Sequence, residues 1–263
     1  MSADGAGGKT SGAFHLLGGK APEMILEPSP RRVRAFFGGE AVVDSRRAYL
    51  LHQRGSLPAY YFPRDDVRED LLAPTSHTSH CPIRGDARYW SLKVGDREVE
   101  NAVWNYPDPR EDAPDVSDLL SFYWDSMDRW FEEEEEVFVH PRDPYHRIDV
   151  LESSRHVEVR WEGTLLAESR RPVLLFETGL PVRFYLPKLD VRTDLMESSD
   201  TRTECPYKGR TSAYWSAGGH GGEDGEGDLA WCYEFPLEGV RKIAGRIAFY
   251  QERVDVLVDG EPQ

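Results

Sequence analysis

The sequence predicts a mainly β protein made of two similar, compact antiparallel domains with a few short helices. Three observations carry that expectation. The chain repeats itself at a fixed spacing, its apolar residues run in short period-two stretches around glycine turns, and helical patterning is confined to brief segments.

The repeat comes first because it sets the number of domains. Asp44-Ser45-Arg46-Arg47 returns as Glu168-Ser169-Arg170-Arg171, and Tyr60-Tyr61-Phe62-Pro63 as Phe184-Tyr185-Leu186-Pro187, each 124 residues on. Asp66-Val67-Arg68 returns as Asp190-Val191-Arg192, and Cys81 as Cys205, at the same spacing. Past the cysteine the spacing grows: Trp90 answers to Trp215, Trp104 to Trp231, and Phe122-Tyr123 to Phe249-Tyr250, the last at 127. Two copies of about 105 residues imply two domains, 30–135 and 154–263, joined by a proline- and charge-containing linker over 136–153. Residues 1–29, rich in Gly, Ala and Ser, read as a poorly ordered tail.

Within each copy the local pattern is that of hairpins. Val33 to Phe37, Gly38-Gly39 and Ala41 to Val43 form the first, with Val157 to Trp161, Glu162-Gly163 and Leu165-Leu166 as its twin. Tyr89 to Val94, the turn Gly95-Asp96 and the run to Tyr106 suggest a second. In the second copy this turn has grown into the glycine-rich stretch 218–227, a change that costs little because closure entropy rises only logarithmically with loop length. Ile247, Phe249, Val254, Val256 and Val258 fit closing strands. Pro63 to Leu72 and Pro187 to Met196 fit a helical turn or two, and Ser117 to Glu132 also fits an amphipathic helix.

Composition limits the function classes. A chain of 263 residues that is 39% hydrophobic and 11% aromatic reads as globular rather than disordered. A net charge of −15 repels phosphate backbones, so nucleic acid is not an expected partner, while a local basic pocket remains compatible with a single anionic ligand. No apolar run is long enough to cross a bilayer, and the N-terminal stretch lacks the apolar core of a secretory signal, so the expected setting is cytoplasmic with no membrane partner. Cys81, Cys205 and Cys232 form no C-x-x-C pair and read as reduced thiols rather than disulfides or a zinc site. The acidic run Glu132 to Glu136 reads as a solvated face.

Taken together, the motifs resemble the domain-of-unknown-function 427 family, also labelled nucleotidyltransferase-like. The resemblance rests on the Gly39 turn, Asp44-Ser45-Arg46-Arg47, Tyr61-Phe62-Pro63 with Asp66-Val67-Arg68, and Cys81-Pro82-Ile83-Arg84-Gly85. Tyr89-Trp90-Ser91, Glu100-Asn101-Ala102 with Trp104, Tyr106-Pro107 and Phe122-Tyr123-Trp124 complete it, and it spans nearly all of both copies. The resemblance implies a β-tent-like fold for each. Arg84 departs from the family's usual Cys-Pro-x-Lys-Gly, which Lys208 keeps, and Tyr106-Pro107 survives only in the first copy. Nucleotidyl transfer rests on the label alone, since the chain has no phosphate-binding glycine loop and no evident Asp pair for magnesium.

The chemistry-bearing residues therefore cluster at the repeated Cys-Pro-x-basic-Gly turn. Cys81 and Cys205 are the candidate catalytic residues, because a thiolate beside Arg84 or Lys208 has a lowered pKa; the alternative is a small buried side chain in a scaffold turn. Arg46 and Arg170, each followed by a second arginine, are candidate anion clamps, with a structural ion pair to Asp66, Asp70 or their twins as the alternative. Arg84 and Lys208 are the candidate anion anchors, and Trp90, Trp104, Trp215 and Trp231 the candidate stacking walls, the alternative being core packing. His77, His140, His146, His156 and His220 lack metal-like spacing and read as surface or linker residues. No metal and no cofactor is expected. The expected ligand is a small anionic metabolite held in an aromatic pocket. Against that stands a non-catalytic module that binds protein or peptide through exposed strand edges.

Overall fold

Short β-branched and aromatic runs separated by positive-φ glycines make strands and tight turns the cheapest local structure, and strands dominate both halves. A computed structural model describes residues 23–217 and 227–263. The described residues through Tyr145 form one compact unit and His146–Gln263 a second.

The first unit contains β1 (Met24–Pro28), β2 (Val33–Phe37), β3 (Glu40–Ser45), β4 (Tyr49–Gln53), β5 (Ala59–Pro63), β6 (Leu72–Cys81), β7 (Gly85–Val94), β8 (Arg97–Asn105), β9 (Leu119–Phe122), β10 (Arg129–Glu132) and β11 (Glu135–Val137). They form a seven-stranded sheet, β1-β4-β5-β9-β8-β7-β6, and a four-stranded sheet, β11-β10-β2-β3. All their pairings are antiparallel.

The second unit contains β12 (Ile148–Glu152), β13 (Val157–Trp161), β14 (Thr164–Ser169), β15 (Val173–Glu177), β16 (Arg183–Pro187), β17 (Glu197–Ser199), β18 (Glu204–Cys205), β19 (Gly209–Arg210), β20 (Ala213–Ser216), β21 (Asp228–Cys232), β22 (Arg246–Phe249), β23 (Asp255–Val258) and β24 (Glu261–Pro262). The sheet orders β12-β15-β16-β22-β21-β20-β17 and β14-β13-β23-β24 reproduce those of the first unit strand for strand. The duplication is therefore one of topology as well as of sequence.

Each seven-stranded sheet has two buried faces, because successive side chains on a strand point to opposite sides. In the first unit, Leu50, Tyr60, Phe62, Leu92, Val103, Leu120 and Phe122 point inward and meet Val33, Ala35, Phe37, Val43 and Trp130 from the four-stranded sheet. The residues between them, Leu51, Tyr61, Ala87, Tyr89 and Trp104, point outward and are covered by Tyr106, Ala113 and Val116. This outer aromatic face positions the candidate site.

Several sequence expectations are revised. Ser117 to Glu132 is not a helix: it forms β9, one 3-10 turn at Trp124–Ser126, and β10. Leu120 and Phe122 alternate inward, and Trp130 pairs with Ala35, so sheet pairing overrides an ambiguous helical spacing. The end of the expected tail is β1, which ladders with β4 from Met24↔Gln53 to Pro28↔Tyr49. The expected linker includes β11, and β12 stands to the second sheet as β1 does to the first. The segments at Pro63 to Leu72 and Pro187 to Met196 are 3-10 turns rather than α-helix. The acidic run is not wholly solvated, since Glu132 is 4% exposed and binds Arg31 at 2.6 Å. The expected glycine-rich loop over 218–227 lies outside the described residues apart from Gly227. Among the described residues no helix is long and apolar enough to cross a membrane.

Candidate functional site

β6 ends at Cys81 and β7 begins at Gly85, with Cys81↔Gly85 as the last rung of their ladder. The backbone N–H of Arg84 donates to the Cys81 carbonyl at 3.2 Å and closes the turn. Gly85 sits at φ +102°, and a Cβ there would lie 3.2 Å from the Asp108 carbonyl oxygen. The glycine is required both for its left-handed backbone and for the close approach of the neighbouring chain.

This turn lays Arg84 over the outer aromatic face. Its Nη1 donates to the Tyr61 hydroxyl at 3.0 Å, and its guanidinium carbon lies 4.8 Å from the centre of the Tyr106 ring. Nε is buried and has no hydrogen-bond partner. Among the described residues no carboxylate pairs with this guanidinium; the groups that act on it are Tyr61, Cys81 and Tyr106. Burial opposes the Arg84 charge, yet those three groups outweigh it and hold the side chain protonated.

Cys81 is half-buried beside this charge. Burial works to raise its pKa, but the Arg84 guanidinium and the backbone N–H groups of Ile83 and Arg84 favour the thiolate more strongly and leave the thiol below the ordinary cysteine value. Tyr61, completely buried, takes hydrogen bonds from Arg84 and Trp104, and burial raises its own pKa. Around them, Trp104 packs on Tyr123 with ring centres 4.4 Å apart, and Tyr89 shares a 2.7 Å hydrogen bond with Ser79. Tyr123 is 47% exposed and forms the open rim of the floor. Burial, followed by a hydrogen bond with Tyr89, pushes its pKa up to about 12.

The second unit repeats the floor and closes it. Tyr185, Tyr214, Trp231 and Tyr233 take the places of Tyr61, Tyr89, Trp104 and Tyr106, all of them almost completely buried under Val240 and Ile243. Trp231 donates to the Tyr185 hydroxyl at 3.3 Å, as Trp104 does to Tyr61. β18 and β19 pair Cys205 with Gly209. Lys208 is completely buried, and its ammonium donates to Glu177 at 2.6 Å. Glu177 also binds His146 at 2.8 Å, and His146 stacks on Tyr207 with ring centres 4.2 Å apart. Burial works to raise the Glu177 pKa, but His146 and Lys208 outweigh it and lower it. In the first copy the position of Glu177 is held by Gln53.

The expected site residues are therefore only partly brought together. Cys81, Arg84 and Trp104 share one face; in the second unit Trp231 lies in the outer aromatic cluster and Lys208 reaches Glu177. Trp90 does not join them: it packs on the inner core with Arg64 5.4 Å from its ring centre, and Trp215 likewise packs on the inner core of its own unit. Their neighbours Tyr89 and Tyr214 occupy the outer face instead, because Tyr89↔Trp104 and Tyr214↔Trp231 are cross-strand pairs. Period-two alternation along β7 carries the signal that separates the two faces. Arg46 and Arg170 are exposed in turns after β3 and β14 rather than on strands. Their neighbours Arg47 and Arg171 pair with Asp66 at 2.5 Å and Asp190 at 3.0 Å. Ser45 and Ser169 donate to the same carboxylates, so each motif is a structural tie within its unit. Residues the sequence reading missed are Tyr89, Tyr123, Gln53, Glu177 and the pairing role of His146; the Gln53/Glu177 difference is visible at the 124-residue spacing.

Among the described residues no group of three or more His, Cys, Asp or Glu is arranged to hold a metal ion. No curated protein matches the chain. Residues 25–133 match one protein family, and residues 149–260 match it a second time. One match falls in each unit, and together they cover most of the chain. The chain therefore belongs to the family described as domain of unknown function DUF427, which it carries in two tandem copies.

Proposed function

We propose that the first repeat binds a small anionic ligand on the outer face of its seven-stranded sheet, with Arg84 as the anchor and Trp104, Tyr106 and Tyr123 as an aromatic enclosure. One observation carries this reading. Arg84 is half-buried with its Nε wholly out of water, and among the described residues no carboxylate balances it, whereas Lys208 at the same point of the second repeat is neutralised by Glu177. A buried charge without a counter-ion is costly unless something supplies one, and a ligand anion does so. The second repeat then serves as a closed structural copy. The free thiol at Cys81 suits a reducing, cytoplasmic setting. Thermal-shift titration with a panel of small carboxylates, sulfate and phosphate tests the reading. Stabilisation by at least one anion is expected in the wild type and should vanish in Arg84→Gln; a panel in which no anion gives an Arg84-dependent shift removes it.

A second reading has its own support. β6 is a ten-residue strand at the open end of the first unit's large sheet, with most of its side chains exposed, whereas its counterpart β17 has three residues. An edge of that kind accepts an extended peptide by strand addition. Replacing Ser79 with Pro should abolish peptide capture, and equal capture by this variant would discard the module.

A further inference from the structure

The geometry of Arg84 selects among anions, and this selection rests on the anion-binding reading above. We propose that the ligand of the first-repeat site is a small monocarboxylate with a flat apolar body, whose carboxylate takes the Nε edge of Arg84 and displaces that guanidinium from Cys81.

Three observations lead there. First, the guanidinium is already partly committed: Nη1 donates to Tyr61, and the Tyr106 ring lies 4.8 Å from its central carbon. On its in-plane edge Nε is buried and unpartnered, and the guanidinium also hydrogen-bonds Cys81. A planar two-oxygen head group matches such an edge, because an arginine fork and a carboxylate make two parallel hydrogen bonds.

Second, the charge supply is a single unit. The nearby Arg110 and His80 are spent on Asp112 at 3.0 Å and Asp86 at 2.6 Å. Groups facing Arg84 from the surrounding elements are Tyr61 on β5, Cys81 at the end of β6 and Tyr106 after β8, and none of these is a cation. A monoanion balances one guanidinium, whereas a phosphate dianion would leave a second charge unpaired in a protein that already carries −15.

Third, the rest of the enclosure is aromatic. Tyr89, Trp104 and Tyr106 belong to the same outer cluster, and Tyr123, 47% exposed, packs on Trp104, which offers ring area for stacking and no further positive charge.

Arg84 thus serves two anions in turn. In the free protein it favours the Cys81 thiolate; with the carboxylate bound, its charge is neutralised and the thiol loses that support. Ligand binding and thiolate formation oppose each other through one shared residue, and such coupling is reciprocal.

The experiment measures alkylation of Cys81 by iodoacetamide at fixed pH, resolved by peptide mass, in the full chain. Benzoate, acetate and inorganic phosphate are added as protectants at constant ionic strength. Benzoate is expected to protect best, slowing alkylation about tenfold at ten times its Kd, with acetate weaker and phosphate inactive. Arg84→Lys keeps a cation but loses the fork, and Gln53→Glu leaves Arg84 in place but supplies the carboxylate that the second repeat already has; both should lose benzoate protection. Phosphate protection equal to that of benzoate overturns the monocarboxylate assignment. An Arg84-dependent thermal shift with benzoate but unchanged Cys81 alkylation overturns the shared-residue link while leaving the anion site standing. No Arg84-dependent effect of any anion overturns both.

Discussion

Lys208 and Glu177 meet at 2.6 Å in the second repeat, both withdrawn from water, while the equivalent pair in the first repeat is Arg84 and the uncharged Gln53. The two copies therefore hold the same cationic turn over the same aromatic floor in two electrostatic states, one balanced by a carboxylate and one without such a partner among the described residues.

Breaking the balanced pair should be expensive. Glu177→Gln leaves a completely buried ammonium short of its counter-ion and is expected to destabilise the second unit by about 3–5 kcal/mol. The double variant Glu177→Leu with Lys208→Met removes both charges and should recover most of that loss. Urea-induced unfolding of the two variants gives the comparison, and equal losses in both would show that the charges matter less than the packing.

The paired Ser-Arg-Asp ties make acid the weak side of both units. Burial raises the Asp66 pKa, but Arg47 and Ser45 outweigh it and hold it below its ordinary value of 3.8, and Arg171 first of all does the same for Asp190. A carboxylate with a depressed folded-state pKa binds its proton less readily than in the unfolded chain. Its stabilisation is therefore fully present above that ordinary value and is lost as pH falls through the folded-state value. Asp66→Asn together with Asp190→Asn should flatten the acid limb of stability below about pH 4. The completely buried Ser45 adds a tie of its own, and Ser45→Ala should cost about 1–2 kcal/mol at neutral pH. Thermal melts across pH 2–7 read both effects.

Two glycines separate backbone strain from crowding. Gly39 and Gly85 both sit at positive φ, +86° and +102°, but an added Cβ meets nothing within 4 Å at Gly39 and the Asp108 carbonyl oxygen at 3.2 Å at Gly85. Each alanine variant should lose about 1 kcal/mol or more to the strained backbone. Gly85→Ala should lose more, and it alone should slow Cys81 alkylation by moving the turn that aims Arg84. Equal effects at the two positions would show that the close approach to Asp108 is slack.

The three cysteines should react in a fixed order. Cys81 is half-buried with a lowered pKa, Cys205 is 3% exposed, and Cys232 is 2% exposed with burial pushing its pKa up to about 11. In native buffer a neutral alkylating reagent should give a single adduct at Cys81, with Cys205 and Cys232 labelled only after denaturant is added. Intact mass followed by peptide mapping checks the order, and early labelling of Cys205 would show that the second floor opens.

The sequence by itself determined the repeat, the β class and the family, because these are written in local pattern. A constant 124-residue spacing, glycine turns and period-two runs survive without any knowledge of which strands meet. It also placed Cys81, Arg84 and Trp104 among the candidate site residues. The tertiary structure decided what the residues face. It turned Trp90 into the inner core and Tyr89 onto the outer floor, since one residue along a strand reverses the side of the sheet. It brought β1 and β12 out of an expected tail and an expected linker, because an edge strand of five residues is stabilised by its ladder rather than by its own composition. Above all it set Glu177, on β15, against Lys208 in the turn between β18 and β19, 31 residues later in the chain. The charge state of a buried site is the sum over neighbours supplied by separate strands, and only the assembled sheet fixes that sum. The Gln53-for-Glu177 difference was present in the sequence from the start, and its meaning came from the distance across which Lys208 and Glu177 meet.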